Sequence, residues 1–376
     1  MLKIQEFIFA HENWRELLAN APYNLKIQED DGFVLFKYNQ ISSDFHEEIC
    51  NEARGLILDS QDNFRVVRYA FKKFFNVDEP FAAHIDWDSA VATEKIDGSI
   101  MSVWYARGKW HLSTNGTVNA FKAGLNSIGP YKTFGELFES VLPLSTFVGN
   151  RYENICWTFE LVSPYNKVVI DYPETKVYLL SMRYMTTLRE LTNPALHAYS
   201  KMLGVEIPKA YILNNENDYR QLVADMPEGH EGIVVRDKNN ERVKIKTLLY
   251  FQLHRIANNG KMTLERIVDL IKANDTDEFL AYFPEYNEVF ADVRERIARC
   301  WEDVMTIQCE ALALRGLLEH SHSQKVARKQ FAQIVSDKPG KALYFIAYDG
   351  DLKKRVESYT TPQFIRVFSH VFKDLM

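Results

Sequence analysis

Cysteine is scarce in this chain and nowhere arranged for chemistry. The four thiols, Cys50, Cys156, Cys300 and Cys309, form no CxxC pair and have no histidine nearby at metal-site spacing. That pattern argues against structural zinc and leaves reduced core or surface thiols. A long apolar run is missing too: no stretch of about 18 apolar residues occurs, so no membrane partner is expected. The opening MLKIQEFIFAHENW lacks a basic segment followed by a long apolar one, and a cytoplasmic protein is expected. Positive charge is not in excess either. With 45 Lys and Arg against 51 Asp and Glu the net charge is −6, which excludes a generally basic nucleic-acid coat protein while leaving room for a local basic groove.

What the chain does have is apolar material, 46% over 376 residues, enough for a substantial core in two or three domains. Up to about residue 250 the hydrophobic period is mostly two. FVLFKY at 33–38, GLILD at 55–59, FRVVRY at 64–69, SIMSVWY at 99–105, ICWTFELV at 155–162, KVYLLSMRY at 176–184, GIVVRD at 232–237 and RVKIK at 242–246 all read as strands. SQDN at 60–63 reads as a hairpin turn, and helices are expected around 120–141 and 187–204. This is the pattern of an α+β domain on antiparallel sheet. After about residue 255 the period becomes helical, in LERIVDLIKA and in DVRERIARCWEDVMTIQCEALALRGLLE, with Thr276 as a cap ahead of Asp277 and Glu278. An all-α second domain is expected there. Its charge is uneven: residues 255–314 carry 7 Lys/Arg against 12 Asp/Glu, and 315–376 carry 11 against 6, so the last sixty or so residues are the better place for a polyanion. The pentapeptide LKIQE stands at both 2–6 and 25–29 with no longer repeat around it, and is treated as coincidence.

Chemistry concentrates around EKIDGS at 94–99. A lysine is a nucleophile only without its proton, so Lys95 needs burial or neighbouring positive charge. RVKIK offers the latter, because strand alternation turns Lys244 and Lys246 to one face and Val243 and Ile245 to the other. Two ammoniums on one face call for an anion between them. Alone, K-x-D-G is a weak signal, but its company is ordered: NEARGLILD with Arg54, KKFFN with Lys73, EKIDGS with Lys95, CWTFELVSPYNKVV with Glu160, HEGIVVRD with Glu231, and RVKIKT.

Together, over roughly residues 33–250, these motifs resemble the covalent nucleotidyltransferase superfamily, and more specifically the bacteriophage RNA ligase 1 family of ATP-dependent ligases. The resemblance implies a nucleotidyltransferase fold over 1–254 followed by an all-helical, RNA-binding 255–376. It implies that the K-x-D-G lysine takes AMP from ATP with release of pyrophosphate, passes it to an RNA 5′-phosphate, and that a 3′-hydroxyl then displaces AMP. On that footing Lys95 is the nucleophile. Gly98 lets the turn bend and the nucleotide approach, and Asp97 holds the turn. Arg54 and Lys73 grip phosphates. Lys244 and Lys246 neutralise the α-phosphate and depress the pKa of Lys95. Glu160 touches ribose or a metal-bound water, Glu231 suits Mg²⁺ (or Mn²⁺), and Tyr38 and Tyr250 stand near the nucleotide or its phosphates. The implied partner is RNA with 5′-phosphate and 3′-hydroxyl ends, such as a nicked tRNA, bound by a monomer acting in repair; a phage-encoded enzyme would work in the host cytoplasm.

One position departs from the pattern. Where the family typically reads S-x-K-G-S, this chain reads LSTNGTVN, with Asn115 in the lysine's place and Lys122 as a candidate substitute. Two rivals remain at this point. A DNA ligase or capping enzyme shares the lysine motifs but usually continues into a β-rich domain, and a binding-only protein would share the fold without the chemistry.

Overall fold

In the computed structural model, residues 1–40, 42–125, 129–147, 152–166, 168–213, 218–227, 229–247, 250, 262–273, 276, 279–280, 283–338 and 340–375 are described. The chain divides into two compact units, Met1–Ala257 and Asn258–Met376.

The first unit is built on three sheets. One orders β1 (Lys26–Asp30), β2 (Phe33–Lys37), β3 (Arg54–Asp59) and β4 (Arg65–Arg68) as an antiparallel meander. A second, in the order β10-β9-β7-β8, comprises β7 (Ser99–Ala106), β8 (Lys109–Thr114), β9 (Ile155–Val162) and β10 (Lys176–Tyr184). These two share a core in which Phe33, Leu35, Leu56 and Leu58 meet Trp104, Ala106 and Cys156. The opposite face of β9, carrying Ile155, Trp157, Phe159 and Leu161, packs on Leu137, Phe138 and Leu203. Because both faces of β9 are covered, every one of its residues is buried.

The third sheet positions the chemistry. Its order is β11-β6-β12-β13-β5, from β5 (Phe75–Asn76), β6 (Val91–Lys95), β11 (Ala210–Ile212), β12 (Gly232–Arg236) and β13 (Arg242–Lys246). Ala92, Ile233, Val235, Val243 and Ile245 bury one face against Tyr219 and Val223, each branched side chain contributing roughly 1.5–3 kcal/mol. Alternation then fixes the other face, and the register sets Lys95, Gly232 and Lys246 in one row across three strands.

Some expectations needed revising. The stretch 120–141 is not one helix: a 3₁₀ turn at Ala120–Lys122 and a short helix at Phe134–Glu139 are separated by a segment containing Gly124, Gly129 and Pro130, which cannot carry an α-helix across. In 187–204 the helix begins only at Asn193, with Pro194 in its first turn, and ends at Leu203 before Gly204 in the left-handed conformation. Thr276, expected as a cap, lies within a helix instead: it is buried and its hydroxyl has no hydrogen-bond partner among the described residues, while Asp277 and Glu278 lie outside them. In the second unit, helices run over Leu264–Ala273, Asn287–Ser321, Gln324–Ile334, Lys341–Asp349, Leu352–Glu357 and Thr361–Val367. The 35-residue member presents Phe290, Val293, Ile297, Cys300, Val304 and Ile307 as a buried stripe at helical spacing. Among the described residues no strand occurs in this unit, and no helix of either unit is long and apolar enough to cross a membrane. Cys50, Cys156 and Cys300 are buried free thiols and Cys309 an exposed one.

Gly232 is the tightest point of the third sheet. Its φ is +148°, and a Cβ there would collide with the Ile245 carbonyl oxygen and lie 2.7 Å from Lys246 Cα. Gly232→Ala is expected to cost about 3 kcal/mol or more, from backbone strain plus overpacking. Urea denaturation of the two chains checks this; an equal midpoint would show that the row can relax.

Candidate active site

Lys95 ends β6 and Lys246 ends β13, on either side of Gly232, with Glu231 at the entrance of the strand between them. Because Gly232 has no side chain, both lysines can reach the same carboxylate. Lys95 Nζ lies 2.6 Å from Glu231 Oε2, and Lys246 Nζ lies 3.3 Å from Oε1. Glu231 and Lys246 are buried, whereas the Lys95 side chain keeps 22% of its surface open. The nearest charge to the Lys95 amine is therefore a carboxylate and not, as the sequence suggested, the pair of cations from β13.

The turn after Lys95 is pinned from below. Asp97 is buried, and its Oδ2 accepts 2.8 Å hydrogen bonds from the amides of Val169 and Ile170, while Tyr250 Oη lies 3.4 Å from Oδ1. Burial and the nearby Glu231 raise its pKa against the pull of those amides. With its oxygens engaged in this way, Asp97 acts on the site by holding the turn. Tyr250 serves the same end, buried with Lys246 Nζ 4.9 Å from its ring centroid. Gly98 is explained by packing: a Cβ there would sit 2.5 Å from the Leu161 carbonyl oxygen, so β9 passes where a side chain would be. That close passage delivers Glu160, which is buried from β9 on the face opposite Phe159 and Leu161. Burial pushes its carboxyl up to about 8, with Lys95 opposing and Glu231 adding to the shift.

A second cluster surrounds Tyr38. Burial alone would raise the pKa of this phenol, yet Lys73, Arg54, Lys244 and Lys37 together bring it down. Lys73 Nζ is boxed by the rings of Tyr38, Phe75 and Phe45, at 4.9, 5.0 and 5.3 Å from their centroids, and lies 3.4 Å from Gln40 Oε1. Arg54 lies over Phe74 at 4.6 Å, with Nη1 buried and lacking a hydrogen-bond partner. Among the described residues no carboxylate pairs with Arg54, Lys73 or Lys37. The strand β5, two residues beyond Lys73, pairs with β13 at Lys244↔Asn76, which ties this cluster to the lysine row. A cavity of about 460 Å³ opens beside Lys73, walled also by Phe45, Phe75, Arg183, Glu190 and Arg242; Lys95 is not on its wall. Concentrated positive charge without counter-charge, beside an amine and two carboxylates, is suited to a polyphosphate.

Lys122 is not part of this arrangement, because it pairs with Asp30 at 2.7 Å on an exposed surface. Asn115 is reached instead by Arg68, a residue that sequence reading passed over. Arg68 is fully buried and donates to Asn115 Oδ1 at 2.8 Å, to Ser102 Oγ at 3.0 Å and to the carbonyls of Arg54 and Gly55. Burial draws its pKa down to about 10, so it stays charged at neutral pH. The overlooked signal was a charge inside the apolar strand FRVVRY.

The profile of the phage RNA ligase 1 family, described as RNA ligase, matches residues 52–254, which include Arg54, Lys73, Lys95, Glu160, Glu231, Lys244 and Lys246. The chain belongs to this RNA ligase family. An RNA ligase of Rhodothermus phage RM378 is 24% identical, covering 86% of each chain. A protein of Autographa californica nuclear polyhedrosis virus, named for joint polynucleotide kinase and RNA ligase roles, is also 24% identical over 97% of this chain; the chain spans about half of it, 53%. An archaeal ATP-dependent RNA ligase superposes with a TM-score of 0.48 at 16% identity, covering 82% of this chain and 83% of that one.

For this RNA ligase family member the displaced pKa of Glu160 has a stability consequence. A carboxyl whose folded pKa, about 8, lies above its unfolded value binds more protons when folded. Its stability contribution is therefore complete below about pH 4.5 and is lost as pH rises through about 8. Glu160→Gln should melt higher than the native chain at pH 9, with the gap closing toward pH 5. A gap independent of pH in thermal melts would show that Glu160 is not the titrating group.

Proposed function

We propose that the chain is an ATP-dependent RNA ligase acting through a lysyl–AMP intermediate on Lys95. The observation that carries this reading is the shared carboxylate of Glu231 between Lys95 and Lys246, set beside three cations that no described carboxylate pairs with. In the first step the unprotonated Lys95 Nζ attacks the α-phosphorus of ATP. The N–P bond forms, the bond to the β-phosphate oxygen breaks, and pyrophosphate leaves with that electron pair. Before this the ammonium must leave its ion pair with Glu231 and give its proton to solvent. Lys246 and Lys244 face the charge that grows on the α-phosphate, while Arg54 and Lys73 hold the departing phosphates.

The donor set suits Mg²⁺, or Mn²⁺, carried in with the nucleotide. Among the described residues no group of three or more His, Cys, Asp or Glu side chains could hold an ion alone, but Mg²⁺ needs only one or two carboxylates with phosphate oxygens and water. Glu231 and Glu160 are the residues that would hold it, and bound there it would supply charge neutralisation on phosphate oxygens. A carboxylate so engaged no longer competes for the Lys95 amine.

In the later steps AMP passes from Lys95 to an RNA 5′-phosphate and is displaced by a 3′-hydroxyl. The helical region 255–376, with its positive excess after residue 315, is proposed as the part that grips structured RNA such as a nicked tRNA. Its helices also weigh against a DNA ligase or capping enzyme that continues into a β-rich domain. A binding-only reading is set apart by one experiment. Incubated with α-labelled ATP and Mg²⁺, the native chain should retain acid-labile label after denaturation, and Lys95→Ala should retain none. A native chain that stays unlabelled with ATP and with GTP would overturn the catalytic reading.

A further inference from the structure

The family pattern places a lysine where this chain has Asn115, and the positive charge has to come from somewhere else if ATP is to be held as tightly. Lys122 cannot supply it, being spent on Asp30. Lys37 can. It closes β2 and pairs in register with Arg54 on β3, so the two cations leave the sheet side by side. Its ammonium also reaches the Asn115 turn: a Cβ built on Gly116 would lie 3.4 Å from Lys37 Nζ. No described carboxylate pairs with it, and burial depresses its pKa, with Tyr38 opposing and Lys26 and Arg54 adding to the shift. An amine held near two other cations, half-buried and without a described carboxylate partner, is poised for an anion.

We propose that Lys37 is a phosphate-binding residue for the triphosphate of ATP, supplying from strand β2 the charge that the 115–117 turn lacks. This rests on the ligase reading above and names one more residue of that site. The turn itself has a reason to stay neutral. Asn115 Oδ1 accepts from Arg68, a buried guanidinium. A lysine at 115 could not accept that bond and would add a second cation next to the first. Arg54 and Lys73, the other cations around Tyr38 without a described carboxylate partner, act on the same phenol as Lys37, so a triphosphate bound beside Tyr38 would meet all three.

The test measures Lys95 labelling against ATP concentration for the native chain and for Lys37→Ala, Lys37→Gln and Lys37→Arg, with thermal melts to confirm folding. A charge-assisted contact to phosphate predicts that the Ala and Gln chains need on the order of ten- to a hundred-fold more ATP for half-maximal labelling. The Arg chain should stay within about fivefold of native, the charge being kept. With pre-adenylated RNA, which bypasses the triphosphate, the Ala and Gln chains should seal within about twofold of native. An unchanged ATP requirement in folded Lys37→Gln would overturn the assignment. So would equal losses with ATP and with pre-adenylated RNA, which would place the lysine against the polynucleotide or in the scaffold. A native chain that is never labelled defeats the ligase reading, whereas native labelling with an indifferent Lys37→Gln defeats Lys37 alone.

Discussion

Everything at this site depends on one carboxylate shared by two lysines across a residue without a side chain. Glu231 can meet Lys95 and Lys246 together only because Gly232 leaves the middle of the row open. The same glycine adopts a φ of +148° that other residues resist, so backbone and charge are fixed at one point. Burying such a group is expensive. Three charges with low exposure persist because each lysine offsets the desolvation of Glu231, and removing Glu231 would leave two cations without their shared partner. In the proposed function this arrangement is a resting state that a polyanion exchanges: phosphate oxygens replace the carboxylate at the lysines, and the carboxylate then becomes available to a cation. Few rearrangements are needed, because the strands already hold every participant.

The cations around Tyr38 solve a different problem, that of keeping positive charge close together without neutralising it. Lys73 sits among three aromatic rings and Arg54 lies over Phe74, so each is stabilised by ring quadrupoles while its charge stays available. The contrast with Glu190 is instructive. There Arg183, Arg236 and Arg242 converge on one buried carboxylate and are committed to it: Arg183 at 3.0 Å, Arg236 at 3.1 Å and Arg242 in a short contact. Burial would raise the pKa of Glu190, and the three guanidiniums bring it down instead. Arginines paired in this way brace the domain. Cations packed against rings and paired with no described carboxylate keep their charge open, and in the proposed function these receive phosphate.

Much of this was legible in the sequence, and the failures have physical causes. The alternation of RVKIK set Lys244 and Lys246 opposite Val243 and Ile245, and the sheet keeps that division, because period two is a property of the strand alone. The pentapeptide LKIQE shows the limit. At 2–6 it enters the helix Lys3–Ala10, and at 25–29 it supplies most of β1, so packing of the surroundings decided what five residues could not. Gly98 and Asp97 were recognisable as a motif, yet their reasons were hidden. The glycine makes room for β9 and the aspartate holds the amides of Val169 and Ile170, both contacts with chain more than sixty residues away. Lys95 meeting Glu231 before Lys244 or Lys246 was hidden for the same reason, since register across strands is not written in any one of them.

Asn115 joins these strands of reasoning. Read alone, it is a lost charge. In the fold it is the neutral acceptor that a fully buried arginine requires: Arg68 has no described carboxylate, and its donors are met by Ser102, two backbone carbonyls and Asn115. A charged guanidinium can stay inside the core when enough neutral acceptors surround it, each charge-assisted bond being worth more than an ordinary one. Replacing the acceptor with a lysine would remove one bond and add a repulsion. Lys37, on β2 of the other sheet, brings its ammonium close to Gly116 of the same turn without displacing the acceptor that Arg68 needs. What a polyphosphate senses is the field of the summed charges, and that field tolerates a cation supplied from a different strand far better than it tolerates the loss of one. A motif position can therefore change while the electrostatic requirement behind it is still met.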